Sequence, residues 1–384
     1  MIKIFKITLL ISITLLFVNN SAFSSQEKIK IGLLVPMTGE NKHLGQLLIK
    51  STQMALEDVG SDKLEIYPRD TASNPSKTLK SAIELKEMNI KIVIGPIFYK
   101  NLEYLNELQD ITFLSLTNKT LNLPKNVIST GVNATSQLNT IKKFIETNEI
   151  KRTILLTPKI DYEIEIKKAL KESNIKISKH YIYDIEPTKL TAQIEKITNY
   201  KIRKQNLADE IKRVEESDLI DKEKQLEKLE KKYTIGKVNF DSIIISDFSE
   251  SLKSVITSLL YTDVSPKNKY IITFNQWFDE SLMKEKAIQP INYPSISNKN
   301  FNNFKKKFFK KFKEDPNHLS LLSYDLVGLI YFLSLNNEIT DMNKLFKKKN
   351  SFKGKIGIFD IKDNKIYHRL NFYQIENEKL KKIF

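Results

Sequence analysis

From Ile29 onward, short apolar and β-branched runs alternate with longer stretches whose apolar positions fall three and four residues apart. That texture predicts strands and helices in βαβ order, and so mainly parallel sheets flanked by helices. The first strand is expected over 29–35, stopped by the turn Pro36-Met37-Thr38-Gly39-Glu40. A helix follows, with Leu44, Leu47, Leu48, Met54, Ala55 and Leu56 on one stripe and Gly60 as its stop. The next unit reads as a strand at 64–68, a loop Arg69-Asp70-Thr71, and a helix from Asn74-Pro75 through Leu85. Strands at 90–94, 111–115 and 126–130, with a helix over 102–108, complete one doubly wound sheet. The rhythm then restarts, with strands at 152–156, 175–183, 241–246 and 270–274 and helices between them. The expected fold is therefore α/β, with two Rossmann-like lobes.

Segment 201–232 breaks the rhythm: 19 of its 32 residues are charged, with both signs mixed. Leu207, Ile211 and Val214 form a narrow stripe, and Leu226, Leu229 and Tyr233 repeat it beyond a break near Ser217-Asp218. Two exposed helices in an antiparallel hairpin, inserted into the second lobe, are expected here. Such an arm either docks a partner or is a solvated decoration held by i,i+4 charge pairs.

The first residues read as an export signal. Lys3 and Lys6 precede an apolar run from Thr8 to Val18, and Ala22 and Ser24 supply small residues for cleavage near Ser24. Residues 1–24 are thus assigned to a signal peptide, and the run is too short to span a bilayer comfortably. No second such stretch occurs, so no transmembrane segment is expected after its removal, and the periplasm is the expected location. The chain has no cysteine, which excludes disulfides, thiolate metal ligands, cysteine nucleophiles and an acylated N-terminal cysteine. A net charge of +16 invites a nucleic-acid partner, but export argues against one. The four histidines (His43, His180, His318, His368) are scattered, and the ten glycines form no phosphate-binding loop. No catalytic residue, metal site or cofactor is expected, and the chain reads as a binder rather than an enzyme.

The C-terminal third is the most specific region. Phe304, Phe308 and Phe312 repeat every four residues on a lysine-rich helix, followed by Asp315-Pro316, Tyr324-Asp325 and an apolar helix through Leu333. In that order these features resemble type I periplasmic binding proteins. The stretches 31–39, 69–75, 93–96, 352–360 and 366–374 resemble, in turn, that family's first strand and ligand loop, its charged second loop, its third-strand end, and its closing hairpin and final strand. The resemblance implies one lobe from 28–133 plus 294–358 and another from 134–293 plus 359–384. It implies a ligand cleft at the strand ends, matched here by Thr38, Gly39, Phe98, Tyr99, Ser115, Thr117 and Asn118 from one lobe and Tyr162, Asn275 and Trp277 from the other. Two branches of the family fit. Amino-acid receptors would serve an ABC permease and hold a small amino-acid-like ligand. Penicillin-binding protein activators would instead touch a peptidoglycan synthase. The loop Pro68-Arg69-Asp70-Thr71, the turn Gly95-Pro96-Ile97-Phe98 and the charged arm look closer to the activator branch, although such activators commonly carry the lipid anchor that this cysteine-free chain cannot. Phe98 and Tyr99 stand where receptors present small hydroxylic residues.

Overall fold

The computed structural model of the chain describes residues 28–335, 345–346, 349–362 and 364–384; the expected signal peptide, 1–24, lies outside them. Strands β1 (Ile29–Val35), β2 (Leu64–Asp70), β3 (Ile92–Ile94), β4 (Thr112–Ser115) and β5 (Val127–Ser129) form a parallel sheet in the order β2-β1-β3-β4-β5. Apart from the edge strand β2, they are buried on both faces, and successive side chains alternate between the two. Ile31, Leu33, Ile94 and Leu114 enter one core, while Leu34, Val93 and Phe113 enter another on the opposite face. Helix α1 (Lys42–Val59) helps cover the first face and α2 (Pro75–Glu87) the second. Asn74 caps α2 by accepting from the Lys77 amide at 3.0 Å, with Pro75 in the first turn.

The second sheet has seven strands: β6 (Thr153–Pro158), β7 (Lys179–Tyr183), β8 (Ser242–Ile245), β9 (Tyr270–Thr273), β10 (Ile291–Ser295), β14 (Asn371–Glu376) and β15 (Lys379–Lys382). Their order is β15-β14-β10-β9-β8-β6-β7; β14 is antiparallel to both of its neighbours, and the other pairs are parallel. Here too the faces alternate. Ile243 and Ile245 pack with α5 (Pro187–Ile197), α8 (Ser249–Tyr261) and the short α9 (Glu280–Lys284), and Ile244 packs with α3 (Ala134–Thr147) and α4 (Glu163–Ser173). The α/β class with two mainly parallel sheets is as the pattern predicts.

Three further strands, β11 (Asn350–Lys353), β12 (Ile358–Lys362) and β13 (Lys365–Arg369), form a small antiparallel sheet. Phe359, Ile361 and Ile366 from it enter the first core, beside α10 (Asn298–Phe312) and α11 (His318–Ser334). Helix α11 is apolar on nearly every side and correspondingly buried. Asp325 on α11 is 2% exposed and accepts the amides of Lys355 (2.9 Å) and Ile356 (2.6 Å), pinning the hairpin to the helix. A Cβ at Gly354 would lie 2.3 Å from that carboxylate, so the approach requires glycine.

The chain passes between the lobes three times, after β5, after β10 and after β13, and these passages are tied together. The Asn133 side-chain amide donates to the Ile366 carbonyl (2.9 Å), the Ser136 hydroxyl accepts the His368 amide (3.0 Å), and the His368 ring meets the Thr130 carbonyl (2.8 Å). The Tyr373 hydroxyl donates to the Ile296 carbonyl and accepts the Asn298 amide, each at 2.9 Å.

Two expectations change locally. In place of a helix over 102–108 there are two 3-10 turns, Tyr99–Leu102 and Leu105–Glu107. In place of a loop at Arg69-Asp70, β2 continues through Asp70 because β1 pairs with it to Val35. Strands β10 and β15 were not foreseen: β10 carries Pro294 and β15 is a short lysine-rich edge.

The arm is two helices, α6 (Tyr200–Glu215) and α7 (Lys222–Glu230), sharing a small core of Leu207, Val214 and Leu229. Its root is Arg203, 5% exposed, whose guanidinium donates to the carbonyls of Thr198 (3.3 Å) and Thr262 (3.0 Å) and to the Thr234 hydroxyl (2.6 Å). Replacing Arg203 with Ala leaves three buried acceptors short of a donor. The expected cost is about 2–3 kcal/mol, from the penalty for unsatisfied buried groups. Chemical denaturation followed by circular dichroism measures it, and an unchanged midpoint would mean that the guanidinium does not anchor the arm.

Candidate functional site

The strand ends of the first sheet open on a cavity of about 350 Å³ between the lobes. Gly95 turns the chain out of β3 with φ 102°, where a Cβ would lie 2.3 Å from the Leu34 carbonyl oxygen. Ile97, Phe98 and Tyr99 thereby reach the cavity, as do Leu116, Thr117, Asn118 and Lys119 beyond β4. His318, Leu319 and Leu322 from the first turns of α11 form another wall. From the second lobe comes Trp277, whose indole stacks on the His318 ring at 3.8 Å and 14°.

Trp277 is held in place from below. It sits at φ 50°, and its amide donates to the Asn275 side-chain carbonyl at 2.9 Å. That oxygen also accepts from the Ser295 hydroxyl (2.8 Å), while the Asn275 backbone N–H donates to the Gln137 side-chain carbonyl (2.7 Å). Burial lowers the His318 pKa to about 4, so the imidazole under the indole is neutral at ordinary pH.

A second closure lies beside the cavity. Glu165, 5% exposed, accepts the amides of Thr120 (2.9 Å) and Leu121 (2.8 Å) and the Thr120 hydroxyl (2.9 Å). Lys168 donates to the Thr120 carbonyl at 2.9 Å. A carboxylate of the second lobe thus grips the loop after β4 of the first.

Of the ten residues matched to a cleft, five line the cavity together: Phe98, Tyr99, Thr117, Asn118 and Trp277. The other five do not. The Thr38 hydroxyl donates to Asp70 at 2.6 Å, which also accepts the Met37 and Thr38 amides, and Gly39 is the exposed turn beside it. Burial opposes ionisation of Asp70, but the hydrogen bonds from Lys77, Thr38, Ala72 and Met37 outweigh it and hold the carboxyl well below its usual range. The Ser115 hydroxyl is buried and spent on the Pro96 carbonyl (2.8 Å). Tyr162 packs against a core of the second lobe; its hydroxyl is buried without a partner, and burial raises its pKa. Asn275 supports Trp277 and does not line the cavity. Sequence reasoning missed Lys119, Glu165 and His318. A histidine becomes legible there only when α11 and the 275–278 turn are seen side by side.

The lining is mostly apolar and aromatic; among the described residues Lys119 is its one charged side chain at neutral pH, and no Asp or Glu lines it. The Lys119 ammonium lies 4.7 Å from the Tyr99 ring centroid, within cation–π range. Several polar groups at the second lobe's strand ends are engaged internally, while the Asn275 side-chain NH2 is buried without a partner. Ser246 donates to Thr157 (2.9 Å), Tyr183 and Ser251 donate to Asp247, and Gln276 donates to the Asp247 carbonyl.

Two lobes with parallel sheets, three passages and a cavity at the strand ends define a periplasmic-binding-protein architecture of type I. The family described as periplasmic binding protein matches residues 28–202. Among solved structures, the branched-chain amino-acid transporter substrate-binding protein LivJ of Streptococcus pneumoniae, in complex with isoleucine, is 16% identical, with 92% of this chain and 98% of that one covered and a TM-score of 0.55. The C-domain of LpoA from Haemophilus influenzae, a regulator of PBP1A, is 15% identical, with 92% and 100% covered and a TM-score of 0.62. Leucine-binding LivK of Thermotoga maritima is 14% identical, with 93% and 98% covered and a TM-score of 0.56. A search of the curated proteins finds no match. The resemblance to type I periplasmic binding proteins is thus borne out: the fold extends over nearly the whole described chain, and residues 28–202 carry the family's sequence pattern.

The buried neutral His318 makes a pH prediction. Its folded pKa lies below that of the unfolded chain, so the unfolded state takes up a proton first as pH falls. The stability due to neutral His318 is complete above about 6.5 and is lost toward pH 4, by an amount on the order of 2 kcal/mol at pH 5. His368, also lowered to about 4 by burial, acts in the same direction, and Asp325, raised to about 7 by burial, in the opposite one. The difference between wild type and His318→Phe isolates the effect. The variant should lose less stability between pH 7 and pH 5 in thermal denaturation, and parallel curves would remove His318 from the account.

Proposed function

We propose that this protein is a non-enzymatic, exported regulator of a peptidoglycan synthase, acting by protein contact from the periplasm. The observation that carries the reading is the cleft. The protein's own Trp277 and His318 stack across it, Glu165 grips the opposite loop, and the second lobe's strand-end groups bond to one another. A charged acceptor is what best holds a ligand ammonium in an amino-acid receptor, and among the described residues no carboxylate lines this cavity. The likeness to the LpoA C-domain, described as a regulator of PBP1A, supports the same reading, and the projecting α6–α7 arm offers a docking element.

One observation favours a second reading, a receptor feeding an ABC permease. The cavity is large enough for a small molecule, and its aromatic walls beside Lys119 suit a compact organic anion. The two readings separate in paired measurements. Under the regulator reading, millimolar branched-chain amino acids leave the melting temperature unchanged, and an immobilised peptidoglycan synthase captures the chain. Replacing residues 208–228 by Gly-Gly, which spares Arg203, Leu207 and Leu229, should abolish capture while the lobes melt as before. A ligand-dependent rise of several degrees without capture would establish the receptor instead.

A further inference from the structure

Helix α10 presents a surface distinct from both the cleft and the arm. Its buried stripe, Phe304 and Phe308, faces the first core, and its flanking Lys305, Lys307 and Lys311 pair with Asp315, Asp58 and Glu57. The outward arc is different. At 100° per residue, Lys299, Lys306, Phe309 and Lys310 fall within about 100° of one another, and Lys313 caps the helix just beyond them. All five are exposed, Phe309 to 50%. Among the described residues, none of these four lysines has a carboxylate partner, whereas each of the three flanking lysines does. Only Asn302 and Asn303 share the arc, so it carries no acid.

We propose that this face of α10 docks on the surface of an anionic lipid bilayer. The lysines span about 21 Å along the helix, and none of them lines the neighbouring cavity at Asn303 and Lys307. Lipid headgroups move laterally and can gather beneath such a row without a fixed register. The half-exposed Phe309 gains from an apolar layer just below the headgroups, which a nucleic acid or a soluble polyanion does not offer. A chain with net charge +16 adds long-range attraction to the same surface.

The test is co-sedimentation of the full chain with vesicles of phosphatidylcholine alone and of phosphatidylcholine with phosphatidylglycerol. The apolar N-terminal segment is common to all variants, so only differences between variants are read. Anionic vesicles should bind more protein than neutral ones, and the excess should fall as salt is raised. Lys306→Glu/Lys310→Glu should weaken anionic binding about 25-fold or more, from the loss of at least two attractive charges. Phe309→Ser should weaken it several-fold. Both variants alter exposed side chains, and unchanged thermal unfolding confirms that the fold survives. Equal binding to both vesicle types, or indifference to charge reversal, overturns the proposal. So does a Phe309 variant that binds vesicles normally while heparin competes away all anionic binding, which would mark the face as a polymer site.

Discussion

Everything else in this molecule depends on the knot of hydrogen bonds where its three interlobe passages run side by side. Asn133, Ser136 and His368 join the first passage to the third, and Tyr373 joins the second to the third. These groups are mostly buried, so each donor lost would strand an acceptor away from water. With one edge of the interlobe surface fixed in this way, the contacts farther from it complete the joining of the lobes.

Those distant contacts are unusual in kind. An indole–imidazole stack at the cavity wall and, beside the cavity, a carboxylate gripping backbone amides join the lobes. Aromatic stacking and charge-assisted hydrogen bonds both gain strength in a drying crevice. The lobes are thus joined here by the chain's own side chains.

The lobes were legible because each strand's buried face is written in local β-branched residues, as in Ile243 to Ile245, and each helix in its spacing. The charged arm was legible by contrast, since Leu207, Val214 and Leu229 are too few to make anything but a thin seam. The candidate site was only half legible. Phe98, Tyr99, Thr117 and Asn118 follow directly from strand ends, but Ser115 looks identical in sequence while its hydroxyl turns inward to Pro96. Tyr162 has the composition of a ligand residue and the position of a core residue. Glu165 and His318 escaped because their partners lie 45 residues away in one case and in the opposite lobe in the other. Strand β10 was hidden by Pro294, a residue that argues against a central strand yet sits beside the antiparallel β14.

The interleaving of the lobes bears on when the chain can fold. The first core joins residues such as Ile31 and Leu114 to Phe304, Phe359 and Ile366, and the second-lobe sheet waits for β14 and β15 at 371–382. Contacts so distant in sequence form late, because their loop-closure entropy must be met first. Neither lobe can therefore complete its core until almost the entire polypeptide is available. A chain made from its N-terminus therefore stays pliable until its last strands emerge, and becomes rigid only then.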